Sequence, residues 1–312
     1  MNYPILDGDA SHACLRYEAI RKRLGPAQFA QHSESARDLS ALREHFDVFV
    51  LDGYGVLNIG QAAIPGAVNR VAELKASGAL VLVLTNGASL PHDQVIDKYL
   101  KLGFRFDDDE IISSRDALVA YLDDAAVMRQ WGVMAPDYAA IDGLSGNTQF
   151  PVPLELGDDP ALYDAVQGFI LLSSSGWTQS RQDLLLNSFR RNPRPLLVGN
   201  PDLVAPLGEQ FSLEPGWYAH ELADHTGCIP HFFGKPFDDV FEMVSRRIAK
   251  QQTVPPNRIA MVGDTLHTDI LGGARAGWKS VLITGHGLLR GLDVDQIIQR
   301  SGIRPDYICP DP

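Results

Sequence analysis

The sequence predicts an α/β protein, with a doubly wound parallel sheet into which a second α/β domain is inserted. Short apolar runs rich in β-branched residues alternate with segments of helical periodicity, which is the pattern of strands joined by crossover helices. The alternation occupies both ends of the chain, and a stretch of different composition interrupts it in the middle. At about 150 residues per domain, a length of 312 residues corresponds to two domains.

The first half of the alternation contains two predicted strands and two predicted helices. Residues 48–51 and 79–84 are apolar runs, as expected for buried strands. Between them, Pro65 begins a predicted helix that ends at Gly78, and a further helix is predicted to end before Gly103.

The far end of the chain repeats this order. A helical stripe over residues 237–248 precedes apolar runs at 259–262 and 280–283, and a helix is predicted between them over 270–276. Strands connected in this way lie parallel with helices on both faces, which is a Rossmann-like core.

The middle of the chain is richer in proline and serine, yet it keeps apolar runs at 169–172 and 196–198. We therefore predict that the core is discontinuous and that the middle folds as an insertion. The predicted division is an N-terminal helical arm at 1–44, a core at 45–124 and 227–312, and an inserted domain at 125–226. In the arm, apolar residues from Ala13 to Leu24 predict an amphipathic helix, and residues 38–42 predict a short second one.

Composition and charge limit the functional class. The chain has 27 Lys plus Arg against 39 Asp plus Glu, for a formal charge of −12, so general nucleic-acid binding is not expected. The 3 cysteines favour a reducing compartment, and no signal sequence or membrane span is recognisable. We expect a cytoplasmic protein; whether it forms a homodimer is open.

Polar residues follow the predicted strands at the edge where a parallel sheet binds ligands. Asp52 and Asp264 each follow an apolar run, Thr85 ends another, and Lys235 precedes a helix. Two carboxylates at one edge can hold Mg²⁺, and one of them can act as a nucleophile towards phosphorus. Each residue alone is also compatible with a turn, a helix cap or an exposed side chain, so only the ordered set is specific.

This ordered set resembles the four motifs of the haloacid dehalogenase-like (HAD) hydrolase superfamily, and in particular its class IIA branch of sugar-phosphate, nitrophenyl-phosphate and pyridoxal-phosphate phosphatases. The similar segments are 50–57, 84–86, 234–236 and 262–277, of which the last is the most specific. Residues 109–114 and 199–202 also resemble class IIA segments, and the likeness extends from about Asp47 to Gly287.

The resemblance implies roles for individual residues and a small phosphorylated metabolite as substrate. Asp52 would form an aspartyl-phosphate, Lys235 would neutralise the phosphoryl group, and the insertion would be a cap that selects the substrate. Mg²⁺ would be held by Asp52, Asp264 and the backbone carbonyl of Tyr54, with Asp269 behind them. The implied phosphate- and substrate-binding residues are Thr85, Asn86, Gly87, Lys235, Asn200 and Asp202, although a structural turn is the alternative for the last pair.

One position departs from the phosphatase pattern. Where the phosphatases have a second aspartate that protonates the leaving oxygen, this chain has Tyr54. A phenol with an ordinary pKa near 10 is a weak general acid at neutral pH. Three functions therefore stay open: a phosphatase that needs little acid catalysis, a non-catalytic member that binds a phosphorylated ligand, and a metal-independent dehalogenase with Asp52 as nucleophile.

Overall fold

The fold is seen in a computed structural model that describes residues 3–124, 129–147, 149–208 and 210–312. Met1 and the predicted start of the insertion, Ala125, lie outside the described residues. The strands in chain order are β1 Glu34–Ser35, β2 Val48–Leu51, β3 Asn58–Ile59, β4 Ala62–Ala63, β5 Leu80–Thr85, β6 Ile111–Ser113, β7 Trp131–Met134, β8 Leu154–Glu155, β9 Gly168–Leu171, β10 Leu196–Val198, β11 Val204–Leu207, β12 Gln210–Leu213, β13 His231–Phe232, β14 Ile259–Gly263, β15 Lys279–Ile283 and β16 Tyr307–Cys309.

The helices lie between these strands. The α-helices in chain order are α1 Ala10–Ala19, α2 Ala67–Ala76, α3 His92–Lys101, α4 Ser114–Leu122, α5 Pro160–Ala165, α6 Gln179–Arg191, α7 Pro215–Thr226, α8 Asp238–Gln251, α9 Leu271–Arg275 and α10 Val294–Ser301. No helix in the described ranges is both long enough and apolar enough to cross a membrane.

The larger sheet has seven strands in the order β1-β16-β15-β14-β2-β5-β6, and every neighbouring pair is parallel. Strands β2 and β14 are buried along their whole length, because helices cover both faces of the sheet. Val71 of α2 and Val95 of α3 pack on one face, whereas Leu118 of α4 and Val244 of α8 belong to the core on the other. The predicted doubly wound parallel sheet is confirmed.

The smaller sheet has five strands in the order β13-β10-β9-β7-β8, again with parallel neighbours. Strands β7 to β10 come from the predicted insertion, 125–226, while β13 lies beyond its predicted end. Two antiparallel hairpins, β3-β4 and β11-β12, complete the strand pairing. The division into arm, core and insertion stays a prediction.

Two helices differ in detail from the prediction. The first begins at Ala10 and ends at Ala19, before the predicted end near Leu24, and a single 3₁₀ turn follows it. The helix predicted over 270–276 is preceded by a π-helical turn at Leu266–Ile270. The Thr265 backbone N–H donates to Asp269 Oδ2 at 3.1 Å, so the Asp269 side chain binds the residue that directly precedes this wide turn.

The N-terminal segment pairs with the larger sheet and also contacts Leu203 and His267. Strand β1 pairs with β16 at the edge of the larger sheet, so this segment is not wholly helical as predicted. Tyr17 of α1 accepts a hydrogen bond from the Leu203 N–H at 3.1 Å and stacks on His267 with ring centroids 5.0 Å apart. The segment is therefore part of the core packing around the functional end of the sheet.

Candidate active site

The polar residues predicted at the sheet edge are brought together by strand order. Strands β14, β2 and β5 are neighbours and parallel, so Asp264, Asp52 and Thr85 emerge side by side at their carboxyl ends. Lys235 arrives from the smaller sheet, three residues after β13. All four side chains are buried.

Lys235 is the charge at the centre of this group. Its ammonium contacts Asp52 Oδ1 at 2.5 Å, Asp269 Oδ1 at 2.8 Å and the carbonyl oxygen of Leu84 at 3.0 Å. Burial alone would lower the pKa of Lys235, but the carboxylates of Asp269 and Asp52 outweigh burial and hold that pKa above its ordinary value. The lysine is therefore a fixed positive charge beside Asp52.

The carboxylates at this edge outnumber the positive charges that face them. Oxygen atoms of Asp52, Asp264 and Asp269 all lie within 4.8 Å of one another. Burial raises the pKa of Asp52 and of Asp264, and the Asp269 carboxylate raises both further. Such a cluster of hard oxygen donors, with more negative than positive charge, suits a divalent cation such as Mg²⁺.

Glycines make room for the Asp264 carboxylate. A Cβ added at Gly55 would lie 2.5 Å from Asp264 Cγ, and one added at Gly287 would lie 1.8 Å from Asp264 Oδ2. Both glycines also have positive φ, which side-chain-bearing residues rarely adopt. The Leu288 N–H donates to Asp264 Oδ2 at 2.7 Å, so this carboxylate is held in one orientation.

Asn86 and Thr85 serve different contacts, although they are adjacent. The Asn86 side chain accepts from the Lys235 N–H at 2.7 Å and donates to the Lys235 carbonyl at 3.0 Å and to Asp202 Oδ1 at 2.8 Å. Asn86 therefore clamps the backbone of the lysine. Thr85 Oγ1 accepts a hydrogen bond from the Gly87 N–H at 3.2 Å.

Tyr54 stands beside a lysine that the sequence reasoning did not select. The Lys98 ammonium lies 4.5 Å from the centre of the Tyr54 ring. Burial raises the pKa of Tyr54 to about 12, and the carboxylate of Glu214 adds to the rise. Burial lowers the pKa of Lys98 to about 8, while the Asp52 charge opposes that shift. The phenol is therefore neutral at physiological pH.

Most of these residues face a cavity of about 370 Å³, but Lys235, which was predicted to bind phosphate, and Asp269 are not among the residues that line it. Of the residues predicted for substrate and phosphate, the structure places these on its wall: Thr85, Asn86, Gly87, Asn200 and Asp202, together with Asp52, Tyr54 and Asp264. Asn200 and Asp202 also form a turn, since Asn200 Oδ1 accepts from the Asp202 N–H at 2.9 Å. Burial raises the pKa of Asp202 to about 7, although Lys235 opposes the rise.

Two family models match the chain, one on each side of the middle stretch. The model described as haloacid dehalogenase-like hydrolase matches residues 49–140, and a HAD-hydrolase-like model matches residues 232–311. The chain belongs to the haloacid dehalogenase-like hydrolases. The family resemblance inferred from the four motifs is confirmed.

Full-length relatives and solved structures agree with this membership. A glycerol-3-phosphate phosphatase of Gallus gallus is 29% identical over 300 residues, covering 88% of this chain and 91% of that one. Phosphoglycolate phosphatase 2 of Arabidopsis thaliana is 26% identical and covers 88% and 93%. The structure of a possible HAD-superfamily sugar phosphatase from Cytophaga hutchinsonii superposes with a TM-score of 0.77 at 26% identity, covering 92% and 98%.

A further solved structure carries a metal. The glycerol phosphate phosphatase of Mycobacterium tuberculosis, in complex with magnesium, superposes with a TM-score of 0.63 at 20% identity and covers 89% of this chain and 76% of that one. At this identity the match supports the shared fold, and the magnesium belongs to that protein.

The cavity residues of this HAD-like chain that the sequence did not predict include Tyr3 and Glu214. Tyr3 reaches the cavity because the Leu213 N–H donates to the Pro4 carbonyl at 2.8 Å, and this long-range pairing leaves no local signal. Glu214 lines the same cavity, is 7% exposed, and accepts from Ser212 Oγ at 2.6 Å. Its position between a strand and a helix that begins with proline was the one available signal, and it is equally typical of a helix cap.

Glu214 should make the stability of the fold depend on pH. Burial raises its pKa from 4.5 to about 7, although the Ser212 hydrogen bond opposes the rise. Between these pH values the folded chain holds a proton that the unfolded chain releases, so the free energy of unfolding falls as pH rises. Compared with that of wild type, the free energy of unfolding of Glu214→Gln should therefore rise by up to about 3 kcal/mol from pH 5 to pH 8.

Urea unfolding in metal-free buffer at these two pH values measures the difference. Glu44→Gln is the matched control, because the Glu44 side chain is 84% exposed. A stability difference between Glu214→Gln and wild type that is the same at both pH values would contradict the expectation.

Proposed function

We propose that the protein is a Mg²⁺-dependent phosphatase of small phosphate monoesters, with Asp52 as the nucleophile. The observation that carries the proposal is the arrangement of the Asp52 carboxylate, which lies against Lys235, within 4.8 Å of Asp264, on the wall of a cavity of about 370 Å³. Such a cavity accommodates a metabolite. The proposal is supported by relatives that are named as phosphatases and that align with this chain along nearly their whole length.

The two oxygens of Asp52 have different surroundings. Oδ1 accepts from Lys235 Nζ and from the Gly53 N–H at 2.7 Å, whereas within the described residues Oδ2 accepts no hydrogen bond. One oxygen therefore orients the carboxylate and the other is available to attack phosphorus. A positioned carboxylate of this kind is a competent nucleophile for covalent catalysis.

The carboxylate cluster fits a resident Mg²⁺, since all its donors are oxygens and its negative charge exceeds the charge of Lys235. We infer that Asp52, Asp264 and the Tyr54 backbone carbonyl hold the ion and that Asp269 positions Lys235. Bound Mg²⁺ would offset the repulsion between an anionic carboxylate and an anionic phosphate.

The proposed reaction has two displacements at phosphorus. In the first, Asp52 attacks phosphorus, the bond from phosphorus to the ester oxygen breaks, and an aspartyl-phosphate forms while the alcohol leaves as an anion that takes a proton from solvent. In the second, water attacks phosphorus and loses a proton to solvent, the bond from phosphorus to the Asp52 oxygen breaks, and inorganic phosphate leaves with the Asp52 carboxylate restored. The Thr85 hydroxyl would bind a phosphoryl oxygen in both steps, and the positive charge of Lys235, held beside Asp52, would offset the negative charge on the phosphoryl group.

Tyr54 determines which esters react well under this proposal. A phenol with a pKa of about 12 gives little help in protonating a leaving oxygen. Esters whose leaving group is stable as an anion, such as nitrophenyl phosphate, would then turn over best. The same weak acid is the observation that favours the second candidate function, a member that binds a phosphorylated ligand without hydrolysing it.

The first prediction from the proposed function concerns the nucleophile. With Mg²⁺, the wild-type protein should release phosphate from 4-nitrophenyl phosphate, and Asp52→Asn should abolish release because the amide cannot form the aspartyl-phosphate. A colorimetric phosphate assay measures both, with the exposed Asp239→Asn as a matched control. Equal turnover in wild type and Asp52→Asn would contradict the assigned nucleophile, and ligand binding without turnover in wild type would favour the second candidate.

The second prediction concerns the weak acid. Tyr54→Asp should raise turnover of alkyl phosphates on the order of 10²-fold, because a carboxylic acid can protonate their poor leaving groups. Turnover of 4-nitrophenyl phosphate should rise much less. Tyr54→Asn is the control, because asparagine is similar in size to aspartate and has no transferable proton. If Tyr54→Asp and Tyr54→Asn change the turnover of both substrates by the same factor, the role proposed for this position is contradicted.

A further inference from the structure

A second chamber adjoins the catalytic cavity. It has a volume of about 410 Å³, and Tyr3, Tyr54, Thr85 and Gly87 line both spaces. Its far wall is the helix α3. A substrate whose phosphate lies against Asp52 would therefore have a continuous path past Tyr54 into this chamber.

The chamber carries two positive side chains. Lys98 and Lys101, one turn apart on α3, both line it, and neither forms an ion pair with any residue in the described ranges. The Lys98 ammonium is packed between aromatic rings, at 4.5 Å from the centre of Tyr54 and 5.0 Å from that of Tyr99. The one carboxylate on the described wall of this chamber is Asp97.

Lys235, which is buried, and Lys98, which is half-buried, differ in what their charges face. Lys235 already contacts the carboxylates of Asp52 and Asp269, so its charge is matched within the protein. The Lys98 charge lies over faces of aromatic rings, which attract a cation far less than a carboxylate does. Lys98 is thus a positive group on the wall of the second chamber that can bind an anionic group of a ligand.

We propose that this second chamber is a substrate subsite in which Lys98 binds an anionic group distant from the reacting phosphate. This inference rests on the proposed phosphatase function and names its substrate class: small phosphate monoesters that carry a second anionic group, such as a carboxylate. Lys101 adds positive charge at the outer end of the chamber, and the Gln94 amide supplies a neutral donor.

A matched pair of three-carbon esters tests the subsite. 3-Phosphoglycerate and glycerol 3-phosphate differ in a terminal carboxylate against a terminal CH₂OH. Calorimetric titration of both into Asp52→Asn protein with Mg²⁺ measures binding without turnover. The carboxylate ester should bind about 10- to 100-fold more tightly, which corresponds to a charge-assisted hydrogen bond.

Adding Lys98→Met should bring the ratio of the two Kd values close to one, mainly by weakening 3-phosphoglycerate. Methionine keeps an apolar stem against the rings of Tyr54 and Tyr99, and Lys98→Arg should restore the preference because it keeps the charge. Lys250→Met is the matched control, since Lys250 is exposed and lies outside both chambers.

A Kd ratio that Lys98→Met leaves unchanged would overturn the subsite. So would an equal loss of affinity for both esters, because the lysine would then serve the phosphate or the fold. Turnover of 4-nitrophenyl phosphate by protein with intact Asp52 is measured in parallel. No turnover with the binding preference intact overturns the proposed function and supports the subsite, whereas turnover without a preference overturns the subsite alone.

Discussion

The ion pairs of the Lys235 ammonium with Asp52 and Asp269 are the interaction on which the rest of the functional site depends. They place one positive charge among buried carboxylates, where an unpaired charge would be costly to the fold. Lys235 follows a strand of the smaller sheet, whereas Asp52 follows a strand of the larger one. The contact therefore links the two sheets at the point where the catalytic cavity opens, and Asn86 secures it by binding the lysine backbone on both sides.

Charge distribution explains why an acidic chain can accommodate a phosphate ester. Asp52, Asp202, Glu214 and Asp264 all face the catalytic cavity, and burial raises the pKa of each. A phosphate entering this space needs positive charge that the lysine paired with carboxylates cannot supply alone. In the proposed mechanism Mg²⁺ supplies it at the reacting end, and Lys98 supplies it in the adjoining chamber.

The residues that sequence reasoning could find are those whose position follows from local pattern and parallel topology. Asp52, Thr85 and Asp264 end or follow buried strands, and neighbouring parallel strands must bring their ends together. Lys235 was selected from its position before a predicted helix, and the family resemblance added Asp269; the contacts of both depend on the tertiary fold. The roles of these residues stay predictions, whereas the doubly wound sheet and the family are confirmed.

The residues that sequence reasoning missed depend on contacts between distant segments. Tyr3 enters the cavity through backbone pairing with β12, more than two hundred residues away, and nothing near Tyr3 signals that partner. Lys98 lies on an amphipathic helix whose buried residues are Val95 and Tyr99, and the sequence pattern predicts that a lysine beside them is exposed to solvent. The π-helical turn before α9 also has no periodic signature, because it is a single turn that Asp269 closes with its side chain.

The most direct test of the account is the stoichiometry and affinity of Mg²⁺ binding to substrate-free protein, measured by calorimetry on wild type, Asp264→Asn and the exposed control Asp239→Asn. The account predicts one Mg²⁺ per chain in wild type and in the control, and a large loss of affinity in Asp264→Asn, because the carboxylate cluster loses one of its charges. Equal Mg²⁺ binding by wild type and Asp264→Asn, or no binding by either, would contradict it.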